Sequence, residues 1–286
     1  MKILLIYPYP LFDRSKSHEE DITVPPIGLY TIAAILKAHR FDVEVLNWSN
    51  IHKTPQHVAE TFRAERPDLV AVSILNANRR GGIELGTTAT QIHPESPGVF
   101  GGGGASFLWK HLLTHYPVVD VVVIGEGEYT FLNLVNALGT GDSGSLEQIP
   151  GIAFRAGGKI RKTAPAPFIQ DLDALPIPAR YFTYHHVVSS RGCPGRCTFC
   201  GSPTFWARQV RFRSPKNFVD ELELLYKKGI RFFYFSDDTF TLNKQRAIAI
   251  CKRILARGLA ITWFAISRAD CVNESVLYWI RNAGCI

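Results

Sequence analysis

The chain is 286 residues long, 46% apolar and 20% charged, with 18 Phe, 10 Tyr and 5 Trp. That is a globular composition whose length suits about two domains, and 23 Gly and 17 Pro without a fixed period exclude a collagen-like or low-complexity chain. The net charge of +7 is uneven: residues 1–150 hold 11 Lys/Arg against 16 Asp/Glu, and 151–286 hold 21 against 9. The basic half reads either as a surface for phosphate or nucleic acid, or as a solvated face.

No apolar run approaches the ~20 residues needed to cross a bilayer. The start, MKILLIYPYP, has one basic residue and no small-residue cleavage site. The expectation is a cytoplasmic protein without a membrane span, in which thiols stay reduced. Its six cysteines then read as ligands or core residues rather than disulfides.

Along the chain, Lys2–Tyr7 is a short apolar run stopped by Pro8, as in a buried strand. Gly28–Arg40 has helical spacing through Leu29, Ile32, Ala33, Ile35 and Leu36. Further strands are expected at Asp42–Leu46, Leu69–Ile74, Gly98–Phe100 and Val119–Ile124, with helices at Ala105–Tyr116 and Glu128–Leu138. This alternation predicts a parallel sheet covered by helices, with ligands at the carboxyl ends of its strands. Residues 141–184 read as a connecting segment between a first domain (1–140) and a second (185–286). It contains a hairpin of Ile152–Arg155 and Lys159–Lys162 around Ala156-Gly157-Gly158, and an extended stretch, Asp171–Phe182, with two prolines.

A second alternation starts at the strand His185–Ser189. Ser214 with Pro215 caps a helix that stops at Gly229, and Ile230–Phe235 is a strand. Asn243 opens a helix ending near Gly258, Leu259–Ile266 is a strand, and Asn273 starts a helix reaching Gly284. Three βα units with the same polarity form part of a barrel. A fourth strand is expected at Cys285-Ile286, so the sequence reads as ending inside the barrel.

The sharpest motif is Cys193-Pro-Gly-Arg-Cys197-Thr-Phe-Cys200, directly after His185–Ser189. This spacing lets one loop wrap three thiolates around a soft centre, with Gly192 and Gly195 providing backbone freedom. Zinc would need a fourth ligand such as His185 or His186, which project to opposite faces of a strand. An iron–sulfur cluster would keep one iron open for a ligand. Cys251, on an apolar helix face, reads as core; Cys271 and Cys285 share no spacing with it.

CxxxCxxC with Phe199 before its last cysteine, after the first strand of a βα barrel, resembles the radical S-adenosylmethionine (SAM) superfamily. The resemblance implies a [4Fe-4S] cluster on Cys193, Cys197 and Cys200 whose open iron chelates SAM. It also implies SAM contacts at Phe199, at Ser236, Asp237 and Asp238 after the second barrel strand, and at Arg268 after the third. The residues alone also allow Asp237 and Asp238 to end a strand and cap a helix, and Arg268 to be merely solvated.

In the first domain, the turn Pro8–Asp13 lacks the G-x-G-x-x-G of a nicotinamide site. Glycines instead follow the fourth strand (Gly101–Gly104) and the fifth (Gly125-Glu126-Gly127-Glu128). Together with Ser73-Ile74-Leu75 and Pro25–Leu29, this resembles the cobalamin-binding domain that precedes many radical SAM domains. That implies a cobalamin site at Ser73, Leu75, Gly101, Gly102, Gly103, Glu126 and Gly127. The D-x-H-x-x-G signature is absent, His18 included, so no histidine ligand to cobalt from that motif is expected.

The expected fold is therefore α/β: a Rossmann-like parallel-sheet domain of the cobalamin-binding type, followed by part of a radical SAM (β/α) barrel. The implied function is a cobalamin-dependent radical SAM enzyme that functionalises an unactivated carbon, with methyl transfer leading. Oxidative cyclisation, or a fragment that binds its cofactors without catalysis, is the alternative. A small-molecule or peptide substrate and an electron donor such as flavodoxin or ferredoxin are the implied partners. No cysteine precedes Cys193, which separates the chain from methylthio-transferring RNA modifiers, so no nucleic acid is expected.

Overall fold

The computed structural model describes residues 1–9, 26–48, 55–140 and 143–286. Pro10–Asp13, His18 and Pro25, invoked above, lie outside them. The chain forms two compact units, Met1–Phe168 and Ile169–Ile286.

In the first unit, strands β1 (Lys2–Tyr7), β2 (Asp42–Asn47), β3 (Leu69–Ser73), β4 (Gly98–Gly101) and β5 (Val121–Val123) alternate with helices α1 (Ile27–Ala38), α2 (Pro55–Glu65), α3 (Arg79–Ile92), α4 (Gly102–His115) and α5 (Glu128–Thr140). The hairpin strands β6 (Ile152–Ala156) and β7 (Lys159–Lys162) follow. Among the described residues the sheet runs β2-β1-β3-β4-β5-β6-β7; β1 to β5 are parallel, and β6 and β7 add antiparallel. The hairpin is thus the edge of this sheet rather than a feature of a free connector. β1 buries on both faces, with Ile3, Leu4, Leu5 and Ile6 all at most 1% exposed, which explains an unbroken apolar run where a half-buried strand would alternate. Its order changes direction between β1 and β3, so the crevice at their carboxyl ends is where such a sheet receives a ligand.

α4 begins at Gly102, three residues before the expected Ala105. Glycine is a poor helix former, but here a side chain would not fit. A Cβ at Gly102 (φ +88°) would meet Ile74 O and Ser73 Oγ at 2.8 Å, and one at Gly104 would meet the Leu75 carbonyl carbon at 2.7 Å. Close approach of α4 to the end of β3 therefore overrides propensity.

The second unit opens on Asp171–Phe182, which is not an extended connector. It folds into two 3-10 turns, Leu172–Ala174 and Pro178–Arg180, because Asp171 caps the first through Asp173 N–H (2.9 Å) and Leu172, Leu175, Ile177 and Ala179 are buried. Strands β8 (His186–Val187), β11 (Phe232–Phe235) and β12 (Thr262–Ala265) form a parallel sheet with β11 in the centre. Helices α7 (Pro215–Lys227), α8 (Lys244–Ala256) and α9 (Glu274–Asn282) alternate with them. Each starts with the expected cap: Ser214 Oγ accepts from Asn217 N (3.1 Å), Asn243 Oδ1 from Arg246 N (3.0 Å) and Asn273 Oδ1 from Val276 N (2.9 Å).

The pleat divides β11. Phe233 and Phe235 are fully buried, Phe235 stacking on Trp263 at 4.3 Å and meeting Phe218 edge-on at 5.0 Å. Phe232 and Tyr234 point to the other face, where Tyr234 stacks on His186 (4.4 Å) and Phe264 (5.7 Å). Cys285 bridges in parallel to Trp263, extending this sheet in barrel order. Between β8 and α7 lies a feature without sequence warning: β9 (Ser190–Arg191) pairs antiparallel with β10 (Arg211–Phe212), with a short helix α6 (Ser202–Phe205) between them. Among the described residues no helix is long and apolar enough to cross a membrane.

Candidate cofactor sites

The cysteine loop leaves β9 through Gly192, whose φ is +94° and whose missing Cβ would stand 2.0 Å from Gln209 O. Only glycine permits both the backbone conformation and that approach. Gly195 serves differently. It has no positive φ, but a Cβ there would lie 3.3 Å from Cys193 Sγ, 3.8 Å from Cys197 Sγ and 3.6 Å from Arg268 Nη1. Cys193, Cys197 and Arg268 therefore gather around one bare backbone position. Gly195 N–H donates to Cys193 Sγ at 3.4 Å, and Thr239 Oγ1 lies 3.8 Å from the same sulfur.

Cys200 is exposed, and its N–H donates to Cys197 O at 3.3 Å. All three thiols are free. A single ion needs donors converging on one point, and among the described residues no three His, Cys, Asp or Glu side chains do so. A cluster asks less, since each thiolate binds a different iron. Three soft thiolates, with one iron left open, are the donor chemistry of such a cluster. His186 turns its Nδ1 to Ser236 Oγ at 3.1 Å and keeps its Nε2 buried without a partner, and burial beside His185 pushes its pKa down to about 4.

The expected SAM contacts separate into distinct environments. Phe199 is 91% exposed. Ser236 is half-buried on the Tyr234 face, and Asp238 is exposed and accepts from Ser202 Oγ at 2.8 Å, tying β11 to the far end of the cysteine loop. Arg268 already holds Asp270 in a bidentate pair (2.9 and 2.7 Å), which pulls the Asp270 pKa to about 2. Asp237 is 1% exposed and turned into the unit. Its Oδ1 accepts from Ser189 Oγ (2.8 Å) and Ser190 Oγ, and its Oδ2 from Ser189 N–H (3.2 Å).

Cys251 is wholly buried and its thiol is pushed up to about 12 by desolvation, with Cys285 adding to the shift, as suits a core residue. Sequence reasoning missed Ser189, Ser190, Thr239 and Arg246, which support the loop from beneath.

In the first unit, Ser73 ends β3 and Gly101 ends β4. Gly103 has only Leu75 Cδ2 near its missing Cβ (3.6 Å), Gly101 has only Val123 (3.8 Å and beyond), and Gly125 has nothing within 4 Å. The backbone there is bare, with Leu75 46% exposed beside it. A Cβ at Gly127 would instead meet Ile32 Cδ1 at 3.0 Å, and Glu126 is buried. Asn78, also missed, is 3% exposed and joins the two strand-end loops: its Oδ1 accepts from Leu75 N–H (2.7 Å) and its Nδ2 donates to Pro8 O (3.2 Å). A flat ligand with amide and phosphate groups suits such bare backbone at a helix start.

A doubly wound sheet with glycine-lined strand ends, and a βα unit bearing a three-cysteine loop after its first strand, define a two-domain cofactor-binding chain. The family models agree: residues 21–135 match the B12 binding domain and residues 187–285 the radical SAM superfamily. The chain belongs to the radical SAM superfamily, with a B12 binding domain ahead of the radical SAM domain. It is 34% identical to an uncharacterized methyltransferase of Pyrococcus horikoshii, over all of this chain and 64% of that protein. It is 31% identical to the anaerobic magnesium-protoporphyrin IX monomethyl ester cyclase of Cereibacter sphaeroides, over 92% of this chain and 46% of the cyclase. The chain therefore spans about half to two thirds of these relatives. Its fold matches that of the radical SAM methyltransferase TsrM of Kitasatospora setae, solved with tryptophan and a SAM analogue, with a TM-score of 0.79 at 21% identity over 99% of this chain and 57% of TsrM.

Proposed function

We propose that the chain is the cofactor-binding part of a cobalamin-dependent radical SAM enzyme that transfers a methyl group to an unactivated carbon of a small-molecule or peptide substrate. The observation that carries this reading is the trio of free thiols on a glycine-released loop at the carboxyl end of β8, with Arg268 beside two of them. When bound, the cluster supplies an electron to SAM and cobalamin supplies a methyl carrier.

Cys193, Cys197 and Cys200 would each hold one iron through its sulfur. Ser236 and Asp238 would hold the amino group of SAM, the Phe199 backbone its adenine and Arg268 its carboxylate. In the other unit, Ser73, Leu75, Gly101, Gly102 and Gly103 line the cobalamin face, while Glu126 and Gly127 fix the turn beside it. A low-potential one-electron donor such as flavodoxin or ferredoxin completes the system.

The test is anaerobic reconstitution with iron, sulfide and hydroxocobalamin, followed by SAM and a reductant. Expected are iron and sulfide in equal amounts, a bound corrinoid, and 5′-deoxyadenosine or a methylated product. One zinc per chain without sulfide, or a cluster retained in Cys193→Ala, would refute the assignment. A second reading, oxidative ring closure, is supported by the 31% identity to the cyclase; it predicts a substrate that loses two hydrogens and gains no carbon.

A further inference from the structure

Val188–Ser190, the segment just before the cysteine loop, is gripped from three directions. Asp237, two residues past β11, takes both Ser hydroxyls and the Ser189 N–H. Arg246, on α8, donates from Nη2 to Ser189 O (2.6 Å) and from Nη1 to Ser189 Oγ (3.2 Å), while its Nε donates to Arg213 O (2.9 Å). Arg213, just before α7, donates from Nη1 to Val188 O (3.0 Å) and pairs with the buried Glu221.

Asp237 and Arg246 are 1% and 8% exposed. These two buried charges meet through Ser189 rather than as a direct ion pair, and buried charges of opposite sign add little net stability over apolar residues, so their value lies in fixing geometry. The pleat makes the same division. Asp237 continues the buried row of Phe233 and Phe235, whereas Ser236 and Asp238 continue the open row of Tyr234. One residue after Asp238, Thr239 reaches Cys193 Sγ.

Resting on the cluster assignment above, we propose that Asp237 is a positioning residue for the cysteine loop, acting with Arg246 through Ser189 and Ser190, and that it makes no contact with SAM. The carboxylate fixes the loop root three residues before Cys193, so that this sulfur is presented to its iron in one orientation. Groups that orient metal ligands from behind change metal affinity about 10–100-fold when removed.

The experiment compares the wild-type chain, Asp237→Asn, Asp238→Asn and Ser190→Ala after anaerobic reconstitution at limiting iron. Asp237→Asn should hold at most about a tenth of the wild-type iron and sulfide. In the fraction that does load, SAM should still change the EPR signal of the reduced cluster as it does in wild type. Asp238→Asn should load normally and lose that SAM response. Ser190→Ala leaves Asp237 bonded to Ser189 and should load several-fold less while melting only a few degrees lower, so it tests the idea even if Asp237→Asn does not fold. Full loading of Asp237→Asn, with or without a SAM response, overturns the proposal, as does wild-type loading of Ser190→Ala. Failure of the wild-type arm to bind a cluster refutes the functional assignment instead.

Discussion

Gly192 offers a strict test of how the cysteine loop is built, because the molecule contains its own control. Gly192 and Gly229 share a φ of +94°, but a Cβ at Gly229 would meet nothing within 4 Å, whereas one at Gly192 would stand 2.0 Å from Gln209 O and 3.2 Å from Trp206 Cβ. Alanine at either position carries the left-handed penalty of about 1–2 kcal/mol. At Gly192 the chain must also move off Gln209, and the β9–β10 pairing, Ser190 with Phe212 and Arg191 with Arg211, lies directly in line. Losing those two pairs at about 1 kcal/mol each brings the total to about 3–4 kcal/mol. That leaves the loop in its binding conformation about a hundredth of the time or less, and the apparent affinity falls by the same factor. The assay is iron and sulfide content after reconstitution at limiting iron, with thermal melting in parallel. Gly229→Ala should melt a few degrees lower and load as wild type does, and Gly192→Ala should load less than a tenth. Equal loading of the two variants would refute the argument.

Other expectations follow from the same geometry. Gly102→Ala forces a Cβ against Ile74 O and Ser73 Oγ at φ +88°, so the strand-end loop must shift; hydroxocobalamin affinity should fall about tenfold or more by visible titration, and unchanged affinity would remove Gly102 from that site. Burial beside His185 pushes the His186 pKa down from the ordinary 6.5 to about 4. The unfolded chain therefore binds the extra proton first on acidification: the contribution is complete only above about pH 7.5 and falls by about 2.5 kcal/mol by pH 4.5. Urea unfolding of the metal-free chain should show that slope and His186→Phe should lose it; an identical slope in both would exclude His186 as its source. Cys251, buried with a thiol pushed up to about 12, should resist iodoacetamide at pH 8 in the folded metal-free chain while Cys197 and Cys200 react, as read by peptide mass mapping; comparable labelling would contradict its burial.

The elements legible in the sequence are those set by local rules. Lys2–Tyr7 coincides with β1 because an apolar run of that length between polar turns has one stable use in a parallel sheet. Ser214, Asn243 and Asn273 announce their helices because a short polar side chain before an amphipathic run satisfies free N–H groups. The pairs β9 and β10 are two residues each, so no periodicity can reveal them; they exist because Gly192 lets the chain turn against Gln209. The three cysteines stood out by their spacing, and the structure places them on one loop. Ser236, Asp237 and Asp238 looked alike because a motif records order and not direction. Extending the alternation of Phe233 and Phe235 by one step would have turned Asp237 inward. Asn78 carried a weaker signal, a polar residue at a helix start whose side chain bonds loop backbone rather than its own helix.

Both units solve one problem the same way. Cofactor-binding loops lie at the carboxyl ends of parallel strands, where the sheet hydrogen bonds that fix the strands have stopped. Apolar packing alone holds such loops poorly, because it is proportional to area and indifferent to direction. Each unit therefore places a buried polar side chain from a following element beneath its loop and satisfies that side chain with loop backbone. In the first unit this is Asn78, bonded to Leu75 N–H and Pro8 O. In the second it is Arg246 with Asp237, bonded to the carbonyl and N–H of Ser189. A buried polar group without such partners is expensive, so loop and anchor are stable only together. The consequence is a division of labour: the residues that meet a cofactor can be small, exposed or bare glycine, because their positions are set by groups that never touch it.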